Sequence, residues 1–190
     1  MLFCGKLLNL AGGATSVPMP ELPAFLTRDG ARPDHGTKDL RSGFSIDVWL
    51  RLTSLREGQV ILDNRTPSGQ GLCLRTGAGG RLEIVMNDGR TESRWDSDPG
   101  LLRAGEWHHA AVIVDGGPKI ILFLIDGKLC DGGDYRQFGW GRYNPNLPGV
   151  AGEKMLRIGV SLEGELKRLR IYNRALRTSE AIGNYRAGPS

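Results

Sequence analysis

Phe44-Ser45-Ile46-Asp47-Val48-Trp49-Leu50-Arg51-Leu52 decides the fold class. Apolar side chains occupy every second position and alternate with Ser45, Asp47 and Arg51. Successive side chains of a strand point to opposite faces, so this period of two is a strand with one apolar face. Trp49 interrupts the polar row, so the second face is not simply wet.

Working outward, further strand patterns cover 59–64, 71–76, 81–86 and 91–95, punctuated by Ser68-Gly69, Gly79-Gly80 and Asp88-Gly89. Asp88-Gly89 between two such runs is a hairpin signal, because these residues tolerate the positive φ of a tight turn. The runs Ala110-Ala111-Val112-Ile113-Val114 and Ile120-Ile121-Leu122-Phe123-Leu124-Ile125 are apolar throughout. That pattern predicts central strands covered on both faces. Asp126-Gly127 then turns the chain into Lys128-Leu129-Cys130. Strand patterns return at 155–160 and 165–173, and Thr178-Ser179-Glu180 offers an N-cap for a short helix through Tyr185. Many short strands and one late helix predict an all-β, antiparallel two-sheet sandwich. The 28 glycines and 10 prolines are spread along the 190 residues, as frequent turns require.

The net charge is +4, with Lys and Arg interspersed among Asp and Glu and no block of five like charges. This reads as solvated surface and excludes nucleic acid as a partner. No apolar run approaches the length of a membrane span, so no membrane partner is expected. The stretch 1–14 faintly resembles a signal peptide, but its apolar part is short and Asn9 interrupts it. Three cysteines, Cys4, Cys73 and Cys130, show no C-x-x-C spacing; buried thiols are the simple reading, and pairing of Cys73 with Cys130 stays open.

Four segments together resemble one family. Phe44-Ser45-Ile46-Asp47-Val48-Trp49-Leu50 is similar to the opening strand of laminin-G-like, concanavalin A-like domains, and Trp107-His108-His109-Ala110-Ala111 to their Trp-x-His strand. Phe123-Leu124-Ile125-Asp126-Gly127 resembles their Asp-Gly hairpin, and the stretch from Gly164-Glu165-Leu166 to Leu176 their closing strand. The resemblance implies a jelly roll, concave on one sheet, over 39–190. Residues 1–38 then form an N-terminal segment with a loop and a candidate first strand at 24–27. It further implies a bacterial extracellular or periplasmic setting and binding of carbohydrate or of a neighbouring protein domain. Many members carry acidic residues where Lys167 and Arg168 stand, so calcium binding there is excluded on charge.

Catalytic patterns are weak. Glu163-Gly164-Glu165 places two carboxylates on one strand face but lacks the third acid of the jelly-roll glycanases, so these read as turn residues. His108 and His109 point to opposite faces and cannot converge on a metal or a nucleophile. The charges of Lys167, Arg168 and Arg170 read as solvated. No cofactor is expected. Structural calcium on Asp29, Asp34, Asp39, Asp131 or Asp134 stays open, since no EF-hand string names its ligands.

The stretch 131–153 reads as a long loop bearing aromatics, and loops of this length without structure are often functional. Trp140, Tyr143 and Asn144 are the candidate carbohydrate-binding residues, with Trp95 a further platform, because sugar C–H faces stack on aromatic rings while amides meet hydroxyls. Packing of Trp140 and Phe138 against the sandwich edge is the competing reading. Trp49 either lines the concave groove or lies under this loop. The expected function is a non-catalytic binding module recognising carbohydrate. A structural domain of a larger enzyme and a glycanase of the same fold are the alternatives.

Overall fold

The computed structural model describes residues 10–11, 14–22 and 43–189. Two antiparallel sheets pack face to face. Their strands are β1 (Leu10–Ala11), β2 (Thr15–Pro18), β3 (Gly43–Leu52), β4 (Val60–Asp63), β5 (Gly71–Thr76), β6 (Leu82–Asn87) and β7 (Glu92–Asp96). There follow β8 (Trp107–Asp115), β9 (Ile120–Ile125), β10 (Lys128–Leu129), β11 (Gly141–Arg142), β12 (Met155–Ile158) and β13 (Gly164–Tyr172), then the helix α1 (Thr178–Arg186). One sheet is ordered β1-β13-β3-β8-β9, with β10 and β11 sharing the outer edge of β9. The other is ordered β2-β12-β4-β5-β6-β7. The candidate strand 24–27 and the division between 38 and 39 lie outside the described residues.

The alternation of β3 does what its sequence dictates. Phe44, Ile46, Val48, Leu50 and Leu52 enter the core between the sheets, against Leu72, Leu74, Ile84 and Met86 of the second sheet. β8 is buried from His108 to Val114, as a central, doubly covered strand must be. β9 keeps Leu122 half-buried at its outer face.

The helix α1 covers part of the outer face of the first sheet. Ala111, Ile113, Leu124, Tyr172, Leu176 and Ala181 form a second apolar cluster there. Trp49, 8% exposed, is covered by this helix and by neither a groove nor the long loop. Its indole stacks on Tyr185 at 5.7 Å and 20°. Tyr185 in turn sits against Gly127, where a Cβ would strike the Tyr185 ring. Asp47, fully buried, accepts hydrogen bonds from His109 Nε2 and Asn184 Nδ2, each at 2.9 Å, and so ties the helix to β3 and β8. At the helix start, Arg177 is the cap. Glu180 accepts from its backbone N–H at 2.8 Å and pairs with Arg174 at 2.7 Å, so a carboxylate one turn in does the capping expected of Thr178 or Ser179.

The two motif segments around Trp107 and Asp126 are joined by one carboxylate. Asp126 and Gly127 both have positive φ, 50° and 72°, as a two-residue primed turn demands. Asp126 then accepts from His108 Nδ1 at 2.6 Å and from the His109 N–H at 2.8 Å. His108 Nε2 accepts from the Arg103 N–H at 2.9 Å, so the Nδ1 proton is the one donated to Asp126. These histidines fasten the strand start; they diverge as strand alternation requires.

Lys167, Arg168 and Arg170 are not simply solvated, because a bulge in β13 redirects them. The register slips between Lys167 and Arg170, and Arg168 takes φ 49°. Lys167 and Arg51 lie over the Trp107 ring at 4.5 and 5.3 Å, Arg168 donates to the Gly188 carbonyl, and Arg170 faces Asp47 at 3.6 Å.

Candidate functional site

The excursion 131–153 bridges β7 of one sheet and the edge of β9 in the other. It starts pinned to β7. Arg136 bonds the Asp96 carboxylate and carbonyl, each at 2.6 Å, reaches Asp98 at 3.3 Å, and lies 4.1 Å over the Trp95 ring. Further on, β11 adds to the edge of β9, the Asn144 N–H bonds Ser93 Oγ of β7 at 3.0 Å, and Leu147 and Val150 enter the core.

Between these anchors the chain alternates strictly. Gly139, Gly141 and Tyr143 are buried, while Phe138, Trp140, Arg142 and Asn144 face out or partly out. The glycines are required by contact: a Cβ at Gly139 would overlap the Cys130 carbonyl, and one at Gly141 would overlap the Trp95 indole. On the outward side, Phe138 is 48% exposed and stacks on Trp140 at 5.0 Å and 29°. The Arg142 guanidinium lies 5.8 Å from the Trp140 ring. Two other large apolar side chains are exposed nearby in sequence, Leu129 of β10 at 48% and Tyr135 at 70%.

The four candidate residues therefore divide. Trp140 and Asn144 stand on the outward ladder; the Asn144 side-chain oxygen also caps the following turn through the Asn146 N–H at 2.9 Å. Tyr143 is 1% exposed and packs in the core, so its ring is no surface platform. Burial pushes its phenol up, and its hydroxyl donates to the Asp115 carbonyl at 3.4 Å. Trp95 shares the inner face with Ile84, and its indole N–H donates to the Gly139 carbonyl at 3.1 Å. It supports the loop from beneath. Tyr143 and Trp140 differ by an odd number of residues in an extended segment, and this alone prevents them from sharing a face. Phe138 and Arg142, not among the expected site residues, join Trp140 by the same alternation.

The remaining candidates are engaged in local contacts. Glu163 accepts from Ser54 Oγ at 2.6 Å and from Arg56 at 2.8 Å, and these hydrogen bonds lower its carboxyl from the ordinary value. Glu165 pairs with Arg51. Among the described residues, no group of three or more His, Cys, Asp or Glu is placed to hold a metal ion. Asp131 accepts from the Gly133 N–H at 3.0 Å, while Asp29, Asp34 and Asp39 lie outside the described residues. Cys73 and Cys130 are separate buried free thiols, each pushed up to about 11 by burial. Among the described residues, no helix is long and apolar enough to cross a membrane.

Solved structures of similar shape include toxin binding domains. The binding domain of Paraclostridial Mosquitocidal Protein 1 superposes over 98% of this chain and 45% of its own, with a TM-score of 0.64 at 18% identity. The binding domain of botulinum neurotoxin DC, solved in complex with rat synaptotagmin II, covers 95% of this chain and 42% of its own, with a TM-score of 0.61 at 14% identity. A botulinum neurotoxin type C structure, described through its interaction with two ganglioside molecules, covers 77% and 36%, with a TM-score of 0.54 at 15% identity. The chain spans less than half the length of each, and at these identities the likeness shows the fold alone. No curated protein matches the sequence. The model of the concanavalin A-like lectin/glucanases superfamily, Laminin_G_3, matches residues 27–181, four-fifths of the sequence, and the chain belongs to that family.

Proposed function

We propose that this chain is a non-catalytic carbohydrate-binding module that works outside the cell and holds its ligand on the outward ladder of Phe138, Trp140, Arg142 and Asn144. One observation carries the reading: a stacked aromatic pair is held partly in solvent by a backbone that is locked from below. Gly139 and Gly141 seat that backbone on Cys130 and Trp95, so the rings are presented in one place at little ordering cost on binding. Pyranose C–H faces suit the two rings, and the Arg142 guanidinium and the Asn144 amide suit hydroxyls or a carboxylate. The ganglioside-related structure of similar fold is consistent with this.

The reading as a protein-interaction domain has its own support. Leu129 and Tyr135 are further large apolar side chains left exposed, and one structure of similar fold was solved bound to a protein.

A glycan array separates the two. Wild-type protein should retain a defined set of glycans, and Trp140→Ala and Phe138→Ala should each lose them by more than about tenfold, as central aromatic anchors do, with unchanged thermal transitions. Absence of any retained glycan, or retention unaffected by both variants, overturns the carbohydrate reading.

A further inference from the structure

The outward ladder does not stand alone on its face of the protein. β11 pairs with β9, β9 with β8 and β8 with β3, so lines of directly opposed residues run across four strands. Ser45 is opposite Ile113, and Ile113 is opposite Leu122. Gly141 is opposite Ile121 and Arg142 opposite Ile120, so the next step of the same register sets Trp140 level with Leu122. Opposed residues of an antiparallel pair project from the same face. Ile113 belongs to the apolar cluster under α1, so this is the outer face of the first sheet, the face on which the helix lies. The ladder is the outer end of that face.

The helix does not fill it. A recess of about 510 Å³ opens where the segment leading into α1 crosses the sheet, a volume in the range of small-ligand sites. Ile113 and Leu122 line it from the sheet, and Arg174 and Thr178 from the crossing segment. That segment is fixed from below: Ser45 Oγ donates to the Arg174 carbonyl at 3.1 Å and accepts from the Leu176 N–H at 2.9 Å. Leu122 therefore belongs to both places, as part of the recess and as the neighbour of Trp140 across the strand, and it is only half-buried. β8 and β11 flank β9 and stand about 10 Å apart, two strand spacings. Recess and ladder are too far apart for one sugar ring and suited to neighbouring units of a chain.

The polar groups of the recess are a separate observation. Thr178 opens the helix, yet its hydroxyl caps nothing, because the Glu180 carboxylate meets the Arg177 N–H. Among the described residues that hydroxyl has no partner. Asp115, also in the lining, accepts from the Gly117 N–H of its own turn at 3.0 Å and forms no ion pair among the described residues. Free hydroxyl and carboxylate groups beside an aliphatic floor match a sugar, whose C–H face is apolar and whose rim is polar.

We infer that the ligand of the ladder is a chain of linked sugars whose further units lie in this recess, over Leu122, with hydroxyls towards Thr178 and Asp115. The inference rests on the carbohydrate reading of the ladder and adds a second subsite to it.

Isothermal titration of β-1,4-linked glucose, β-1,4-linked N-acetylglucosamine and α-1,4-linked galacturonate oligomers, from dimer to hexamer, tests it. In a series that binds, affinity should rise by about tenfold or more between dimer and hexamer, as a second linked contact requires. Thr178→Leu fills the recess without touching the ladder and should lower the affinity for the hexamer to that for the dimer. Leu122→Lys should do the same from the floor, and Trp140→Ala should weaken both lengths. Equal affinity for dimer and hexamer, or a hexamer affinity that neither recess variant changes, overturns the second subsite, while weakened dimer binding in Trp140→Ala keeps the ladder as the sugar site. Short glycans retained on the array with no binding in any series overturn the second subsite as well. No binding in any series and no glycan retained on the array overturn the ladder reading and this inference together.

Discussion

Replacing Trp95 with alanine should loosen the excursion that carries the ladder, at a cost that can be worked from its contacts. The indole is partly buried between β7 and the excursion, so the packing loss falls below the 3–5 kcal/mol of a fully buried aromatic, at about 2 kcal/mol. Its N–H bond to the Gly139 carbonyl adds about 1 kcal/mol. The Arg136 guanidinium at 4.1 Å adds about 0.5–1 kcal/mol. The terms share partners and do not add fully, which gives ~3 kcal/mol. For a chain of 190 residues that is roughly a 10 °C drop in Tm. Trp140→Ala, with its ring on the outward side, should cost less than ~1 kcal/mol. Urea unfolding of both variants measures the difference. If Trp140→Ala costs as much as Trp95→Ala, or Trp95→Ala costs under ~1 kcal/mol, the division into supporting and presented aromatics is wrong.

The other predictions concern the helix, the acid limb and the thiols. Tyr185→Ala removes the cover from Trp49 and should cost about 2 kcal/mol, with a red shift of tryptophan emission and faster proteolysis near the C-terminus; unchanged emission would contradict the assigned cover. Glu180 is held down to about 2, first by the hydrogen bond from Arg174 and then by the Arg177 N–H. Its folded value lies below its unfolded one, so its contribution is present above about pH 4.5 and is lost as pH falls towards 2. Glu180→Gln should therefore destabilise at neutral pH and flatten Tm against pH over that window. Cys73 and Cys130, buried and raised to about 11, should resist alkylation at pH 8 in the native state and react fully in denaturant, as read site by site by mass spectrometry.

The sandwich was legible because its central strands advertise themselves. β3 alternates and β8 is continuously apolar, and both signals arise from the strand's own two-residue pitch. The Asp126-Gly127 turn was legible for a similar local reason, the positive φ that these residues tolerate. What covers a face is not local. Trp49 stood out as an exception, but the Tyr185 that covers it lies more than a hundred residues away in a helix whose docking no pattern announces. The excursion shows both sides. Its aromatics marked it, yet its inner and outer rows were readable only once 138–144 was taken as extended. That extension depends on β11 pairing with β9, and β11 is two residues long. The bulge at Arg168 likewise hides from sequence, since a single inserted residue leaves the surrounding pattern intact.

The central claim, that Trp140 is presented to a ligand while Trp95 supports it, has a direct readout in the indole N–H resonances of the four tryptophans. On titration with a glycan retained on the array, the Trp140 resonance should shift and broaden while those of Trp49 and Trp95 stay in place. A stationary Trp140 resonance under saturating glycan would contradict the account.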